Sequence, residues 1–326
     1  MLSNSYPKCI HSLNKWLQGC QKRQDIYNRI RPQLFDVTLR DGLQTIPQEQ
    51  HQQWTTQEKK NTYYQIKFNH NPENIEIGSL ANPKLLPIFS DSLHLYKEID
   101  EEFHNISNKP DEKMYILIPS LNMLKKALEH NVTNFSFITS VSNAFQKKNT
   151  NKSLKEKKME LQEMCFDLEK NAFQNRNHKM TNNKLKLYIS CINDCPLTGL
   201  IDNDFIVHEI LNYGNNLRFD ELCLSDTCGT LKFEDFEYII DNCLYFGLPA
   251  SKLSLHLHIS EDNFMNTKQI VNYAFDKNIN KFDVSMIKSG GCSITIKNDK
   301  CKNNMTYELF YRFLVEYIEK KIEKEN

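Results

Sequence analysis

Arg40 and Asp41 stand where an apolar alternating run, Leu-Phe-Asp-Val-Thr-Leu over residues 34–39, breaks at Gly42. Period-two alternation predicts a β-strand, and a strand that delivers a cation and a carboxylate at its exit suggests an active site. Far along the chain, His256 and His258 are two apart on another predicted strand, so their imidazoles share a face and can bind one cation. Asp41 is the carboxylate available to join them. Mixed nitrogen and oxygen ligation with open positions suits Mg, Mn, Fe or Zn in a reactive site, not a closed structural zinc site.

Other polar residues fall at comparable places. Glu76 lies inside an apolar strand, where an unpaired carboxylate is costly, so it requires a cationic partner such as Arg40. Asp226 closes Ser-Asp at the end of a further run and reads either as a supporting or substrate-orienting carboxylate or as a cap for the helix that follows. Cys292 follows Gly290 and Gly291, a loop setting that favours thiol chemistry over core packing. Cys191 and Cys195, with three residues between them and no adjacent His, read as packing around the turn at Pro196. No phosphate-binding glycine motif is present, so a nucleotide-bearing substrate must be held otherwise. Lys147 and Lys148, beside Asn149, are placed either to meet its phosphates or to form a solvated charge run.

These residues need a scaffold that brings strand ends together. Eight β-branched or aromatic runs recur, at residues 33–41, 74–79, 114–120, 134–139, 186–191, 220–227, 253–258 and 281–286. Helical patterns separate them, for example at 121–130, 153–174, 233–246 and 264–277, and a last one covers 305–323 with Leu309, Phe310, Phe313, Leu314, Tyr317 and Ile318 at helical spacing. Eight βα units close naturally into an α/β fold of the (β/α)8 TIM-barrel kind, whose active site is assembled at the carboxyl ends of the strands. A single catalytic barrel over residues 31–326 is expected, preceded by an N-terminal extension of residues 1–30. No linker divides the chain.

Composition narrows the function classes. Lys plus Arg and Asp plus Glu are both 41 in 326 residues, so no long-range field favours nucleic acid or an acidic membrane surface. No apolar run approaches the roughly 18 residues that a membrane span requires. Ten scattered cysteines fit thiols in a reducing compartment, and a cytoplasmic location is expected. Residues 1–24 lack acidic groups and carry Lys8, Lys15, Lys22 and Arg23, as an organelle-targeting peptide does, but Trp16 and Leu17 equally fit a helix capping the fold.

Taken in order, the motifs resemble the metal-dependent (β/α)8 lyases and synthases that include 3-hydroxy-3-methylglutaryl-CoA lyase, isopropylmalate synthase and homocitrate synthase. The stretches that carry the resemblance are Arg40-Asp-Gly-Leu-Gln44, Phe145-Gln-Lys-Lys-Asn-Thr-Asn151, Ser190-Cys191 with Cys195-Pro196, Ser225-Asp-Thr-Cys-Gly229, and Phe282-Asp-Val-Ser285 leading to Gly290-Gly-Cys292. They look most like the lyase, since Leu43 stands where the synthases usually carry Glu. The resemblance implies a divalent metal, Mg or Mn, held by Asp41, His256, His258 and an Asn after the eighth strand, best placed at Asn303, with Asn304 as the alternative. It further implies an acyl-CoA substrate, enolate stabilisation by Arg40, proton transfer by Cys292, support from Glu76 and Asp226, and a homodimer. The implied reaction is cleavage of 3-hydroxy-3-methylglutaryl-CoA to acetyl-CoA and acetoacetate. A condensing synthase and an inactive barrel kept as a binding protein are the competing readings. The chain departs from the lyase pattern after His258, at residues 259–264, and after Cys292, at residues 293–302.

Overall fold

The computed structural model describes residues 6–104, 113–174, 183–291 and 302–326. The β-branched and aromatic runs form eight barrel strands, labelled β1 (Gln33–Asp36), β2 (Asn74–Ser79), β3 (Lys113–Ile118), β4 (Asn134–Ser140), β5 (Leu185–Ser190), β6 (Glu221–Asp226), β7 (Leu253–Ile259) and β8 (Lys281–Val284). Each pairs in parallel with the next, and β8 pairs back onto β1 through Gln33 opposite Lys281 and Asp36 opposite Val284. The sheet is thereby closed into a (β/α)8 barrel with helices outside.

Eleven α-helices are described: α1 (Ile10–Gln18), α2 (Gln21–Ile30), α3 (Thr56–His70), α4 (Ser92–His104), α5 (Leu121–Glu129), α6 (Asn143–Thr150), α7 (Leu154–Gln174), α8 (Asn203–Asn216), α9 (Phe233–Tyr245), α10 (Phe264–Asp276) and α11 (Tyr307–Glu325). Residues such as Ile75, Ile77, Ile116 and Leu187 are buried with Tyr63, Leu124 and Phe310 from the helices, in one contiguous apolar core. The first two helices bury Leu13, Leu17 and Ile26 in that core and lie against α11, where Arg23 pairs with Glu319 at 2.8 Å. The exposed ion pair adds little; apolar burial holds the extension in place. Residues Ile10–Gln18 and Gln21–Ile30 are thus helical and packed into the fold, with Leu17 in the core and Trp16 against it. No described helix is long and apolar enough to cross a membrane.

The first run ends earlier than its alternation predicts. Strand β1 stops at Asp36, and Thr38–Gly42 winds into one π-helical turn closed by the Gly42 N–H donating to the Val37 carbonyl at 3.0 Å. Asp36 starts the turn by accepting from the Thr38 N–H at 2.8 Å and from its hydroxyl at 2.9 Å. Gly42 is required because a Cβ there would lie 2.9 Å from the Ile287 side chain. The consequence is functional: on a strand, adjacent residues point to opposite faces, whereas the turn sends both Arg40 and Asp41 to the barrel mouth.

Candidate metal centre

Strand β7 carries its histidines with the expected period, and both rings enter the lumen beside Asp41. His256 Nε2 and His258 Nε2 each lie 3.7 Å from Asp41 Oδ2, and all three residues are buried. One donor atom from each lies within 4.8 Å of the others, close enough to hold a metal ion. The opposite ring nitrogens are occupied: His256 Nδ1 faces Asp283 Oδ2 at 3.0 Å and His258 Nδ1 faces the Asp226 carbonyl at 2.9 Å. Both partners are acceptors, so each Nδ1 carries the proton and each Nε2 presents its lone pair towards Asp41.

The carboxylate is pre-formed. Burial alone would push Asp41 up, but the Arg40 guanidinium and the two imidazoles hold it well below the usual carboxylate range. Arg40 Nη1 donates to Asp41 Oδ1 at 2.6 Å and Gly291 N–H donates to Oδ2 at 2.9 Å. Arg40 Nε is committed to Glu76 Oε2 at 2.5 Å, while Glu76 also accepts from Tyr188 at 3.0 Å and from the Ser136 hydroxyl. The cationic partner required for Glu76 is thus Arg40. Among the described residues, Arg40 Nη2 is left without a protein acceptor, and Arg40 lines the mouth pocket together with Asp41, His256 and His258.

Placement separates the remaining expected site residues. Asn303 is exposed, whereas Asn304 is buried. The short strand Asn303–Asn304 runs antiparallel to β7, with Asn304 opposite His258 and Asn303 opposite Ile259. Directly paired residues project to the same face, so the register sends Asn304 to the histidine side and Asn303 away from it. Asn304 Nδ2 donates to the Ser289 carbonyl at 2.8 Å, and a Cβ on Gly290 would collide with the Asn304 amide and lie 2.6 Å from Asp41 Oδ2. Asn304, the alternative to Asn303 in the sequence reading, is therefore the residue that the fold brings beside Asp41, while Asn303 faces away. Asp226 reaches the cluster through its main-chain carbonyl; its carboxylate, pushed up to about 6 by burial, accepts from the Thr230 and Leu231 N–H groups instead. Helix α6 gives Asn149 and Thr150 to the pocket wall, while Lys147 and Lys148 are exposed on it. Cys292 lies outside the described residues.

The residues present fit a divalent cation on two grounds. Among the described residues, His258 Nε2 and Asn304 Oδ1 are buried acceptors without a hydrogen-bond partner, and such groups are costly unless a cation or a donor meets them. Around them two lumen cations, Arg40 and Lys186, meet the buried carboxylates of Asp41, Glu76 and Asp283, and Lys186 also pairs with Glu221, so carboxylates outnumber cations. Sequence reasoning singled out neither Lys186, Tyr188 nor Ser136, and included Asp283 in a motif without giving it a role. The signal was the polar alternation Lys186, Tyr188, Ser190 along β5, which a closed barrel turns into its lumen.

No family model matches the chain. It is 26% identical over 260 residues to hydroxymethylglutaryl-CoA lyase YngG of Bacillus subtilis, covering 79% of this chain and 77% of that protein. It is 27% identical over 221 residues to the 3-hydroxy-3-isohexenylglutaryl-CoA/hydroxymethylglutaryl-CoA lyase of Pseudomonas aeruginosa, covering 67% and 65%. Among solved structures, an HMG-CoA lyase from Acinetobacter baumannii in complex with coenzyme A and 3-methylmalate superposes with a TM-score of 0.69 at 21% identity, over 89% of this chain and 84% of that one. The lyase from Brucella melitensis gives 0.68 at 20% identity, over 89% and 90%. The chain is thus similar in sequence to these two lyases, and it shares the (β/α)8 fold of the solved structures.

Proposed function

We propose that this protein is a divalent-metal-dependent carbon–carbon lyase that cleaves 3-hydroxy-3-methylglutaryl-CoA to acetyl-CoA and acetoacetate. The observation that carries the reading is the convergence of Asp41, His256 and His258 beside Arg40 at the mouth of the barrel. The names of the two relatives supply the substrate class. Asp41, His256, His258 and Asn304 would hold the ion, which when bound supplies Lewis acidity and a template for the substrate's hydroxyl and carboxylate oxygens.

The chain's own residues account for the rest. Cleavage requires the 3-hydroxyl to lose its proton, the C2–C3 bond to break towards C2, and negative charge to develop on the thioester oxygen. Arg40 is pre-positioned for that charge: Nε and Nη1 are tied down by Glu76 and Asp41, so the guanidinium cannot swing away, and Nη2 remains for an oxygen. Water is kept from the guanidinium by the Tyr188 ring, 4.9 Å from its carbon. Cys292 follows Gly291, whose N–H already bonds Asp41, and is assigned the proton that C2 must receive. Asn149 and Thr150 on the pocket wall, with Lys147 and Lys148 above them, are assigned to the CoA portion.

The test is acetoacetate formation from the CoA thioester with Mg or Mn added. Turnover is expected, abolished by His256→Ala and reduced on the order of 100-fold or more by Arg40→Met. A protein shown calorimetrically to hold its metal but releasing no acetoacetate would refute the substrate assignment.

A further inference from the structure

Beneath the candidate centre, the lumen holds a chain of groups that the proposed reaction does not itself use. Lys186, on β5, is fully enclosed, and its ammonium donates to Asp283 Oδ1, pairs with Glu221 Oε1 at 2.9 Å and lies 3.6 Å from the centroid of the Phe35 ring. Asp283, on β8, turns its second oxygen, Oδ2, to His256 Nδ1 at 3.0 Å. The Cys223 thiol also points at Oδ2, at 3.6 Å. Every atom of the carboxylate is therefore engaged, and each partner comes from a different barrel strand.

We propose that Lys186 and Asp283 are positioning residues that lock His256 in its Nδ1–H tautomer, so that Nε2 is a lone pair aimed at Asp41 before any cation arrives. An imidazole can expose a lone pair from either nitrogen, and the nitrogen that carries the proton is fixed by what its other side meets. Asp283 can only accept, so it selects the proton at Nδ1. Asp283 in turn needs Lys186, because a carboxylate buried in the lumen beside an imidazole and a thiol has no other cation in contact among the described residues. The aromatic face of Phe35 and the Glu221 carboxylate keep the ammonium in place from the far side. His258 obtains the same tautomer from a backbone carbonyl, which no side-chain change can remove, so His256 is the ligand whose readiness depends on side chains.

This inference rests on the metal-site reading proposed above, but its primary readout does not need the metal. Imidazole nitrogen NMR of the full chain without metal, assigned with His256→Gln, is expected to show His256 with its proton on Nδ1. Asp283→Asn, whose amide can donate as well as accept, and Lys186→Met should shift His256 towards a mixture or the Nε2–H form. Lys186→Arg should restore the wild-type pattern, which a role in packing alone would not do. In parallel, Mn affinity by calorimetry should fall about 10- to 100-fold in Asp283→Asn and in Lys186→Met, and stay near that of the wild type in Lys186→Arg. Wild-type His256 found as the Nε2–H tautomer would overturn the proposal even if both variants fail to fold. So would a tautomer and a Mn affinity unchanged in Asp283→Asn. A protein that binds Mn and shows the Nδ1–H tautomer but forms no acetoacetate would refute the reaction assigned here and leave the Lys186–Asp283–His256 relay standing.

Discussion

Because Asn304 is paired with His258 and Asn303 with Ile259, a one-residue difference decides which amide shares the face of the histidines. Asn304 Oδ1 is buried without a partner, while Asn303 is exposed, so only the first can gain from a cation. Asn304→Ala is expected to weaken Mn binding about tenfold or more, and Asn303→Ala to leave it within about twofold, measured by calorimetry. Equal losses in both would count against the fourth ligand. The rest of the cluster was legible because strand-exit position and period-two spacing are local properties: Arg40, Asp41, His256 and His258 all carry them. The choice between Asn303 and Asn304 was not, because the register of a two-residue strand is set by its partner in space. The roles of Asp283 and Lys186 were hidden for a related reason. A polar face on a strand ordinarily meets solvent, and only closure of the sheet makes it a lumen.

At the level of elements, the βα order was readable from alternation and helical periodicity, whereas the π-helical turn after β1 was not. That turn depends on Asp36 accepting from Thr38 and on Ile287 crowding Gly42, a contact between residues distant in sequence. Asp36 also joins β1 to the helices, since it accepts from the Tyr307 hydroxyl of α11 at 2.8 Å, and Tyr307 stacks on His70 of α3 with ring centroids 3.7 Å apart. Burial lowers His70 to about 4. The folded state therefore binds fewer protons than the unfolded chain between pH 6.5 and about 4, and the stability that neutral His70 contributes is present above 6.5 and lost as pH falls through this window. Asp36 works in the opposite sense: burial raises it to about 7, so its contribution is present below the ordinary carboxylate range and lost as pH rises towards 7. The two slopes oppose each other in wild type. The difference between wild type and His70→Gln isolates the histidine, and denaturant unfolding should show the wild type losing up to roughly 3 kcal/mol relative to the variant from pH 7 to 4. A pH-independent difference would mean that His70 titrates in the folded protein as it does in the unfolded chain.

Across the whole molecule, the lumen differs in chemistry from the layer that surrounds it. The layer between strands and helices is a continuous apolar core, while the lumen carries Arg40, Lys186, Asp41, Glu76 and Asp283 stacked from the barrel floor to its mouth. The apolar layer supplies the driving force for folding, and the carboxylate excess of the lumen works against it. A cation that binds only the folded chain must then report on global stability. At Mn concentrations about a hundredfold above the dissociation constant, stabilisation of about 2.7 kcal/mol is expected, seen as a rise of several degrees in Tm that a chelator reverses. Asp41→Asn removes one ligand charge and lessens the carboxylate excess of the lumen, so the Mn-dependent rise should disappear while the metal-free variant melts no lower than metal-free wild type. Arg40 retains Glu76 in that variant, and the Gly291 N–H keeps an oxygen acceptor, so the mouth of the barrel has no new unpaired charge. A wild-type Tm that is the same with Mn and with chelator would show that the lumen balances its charge without a metal, and would remove the ground for placing one there.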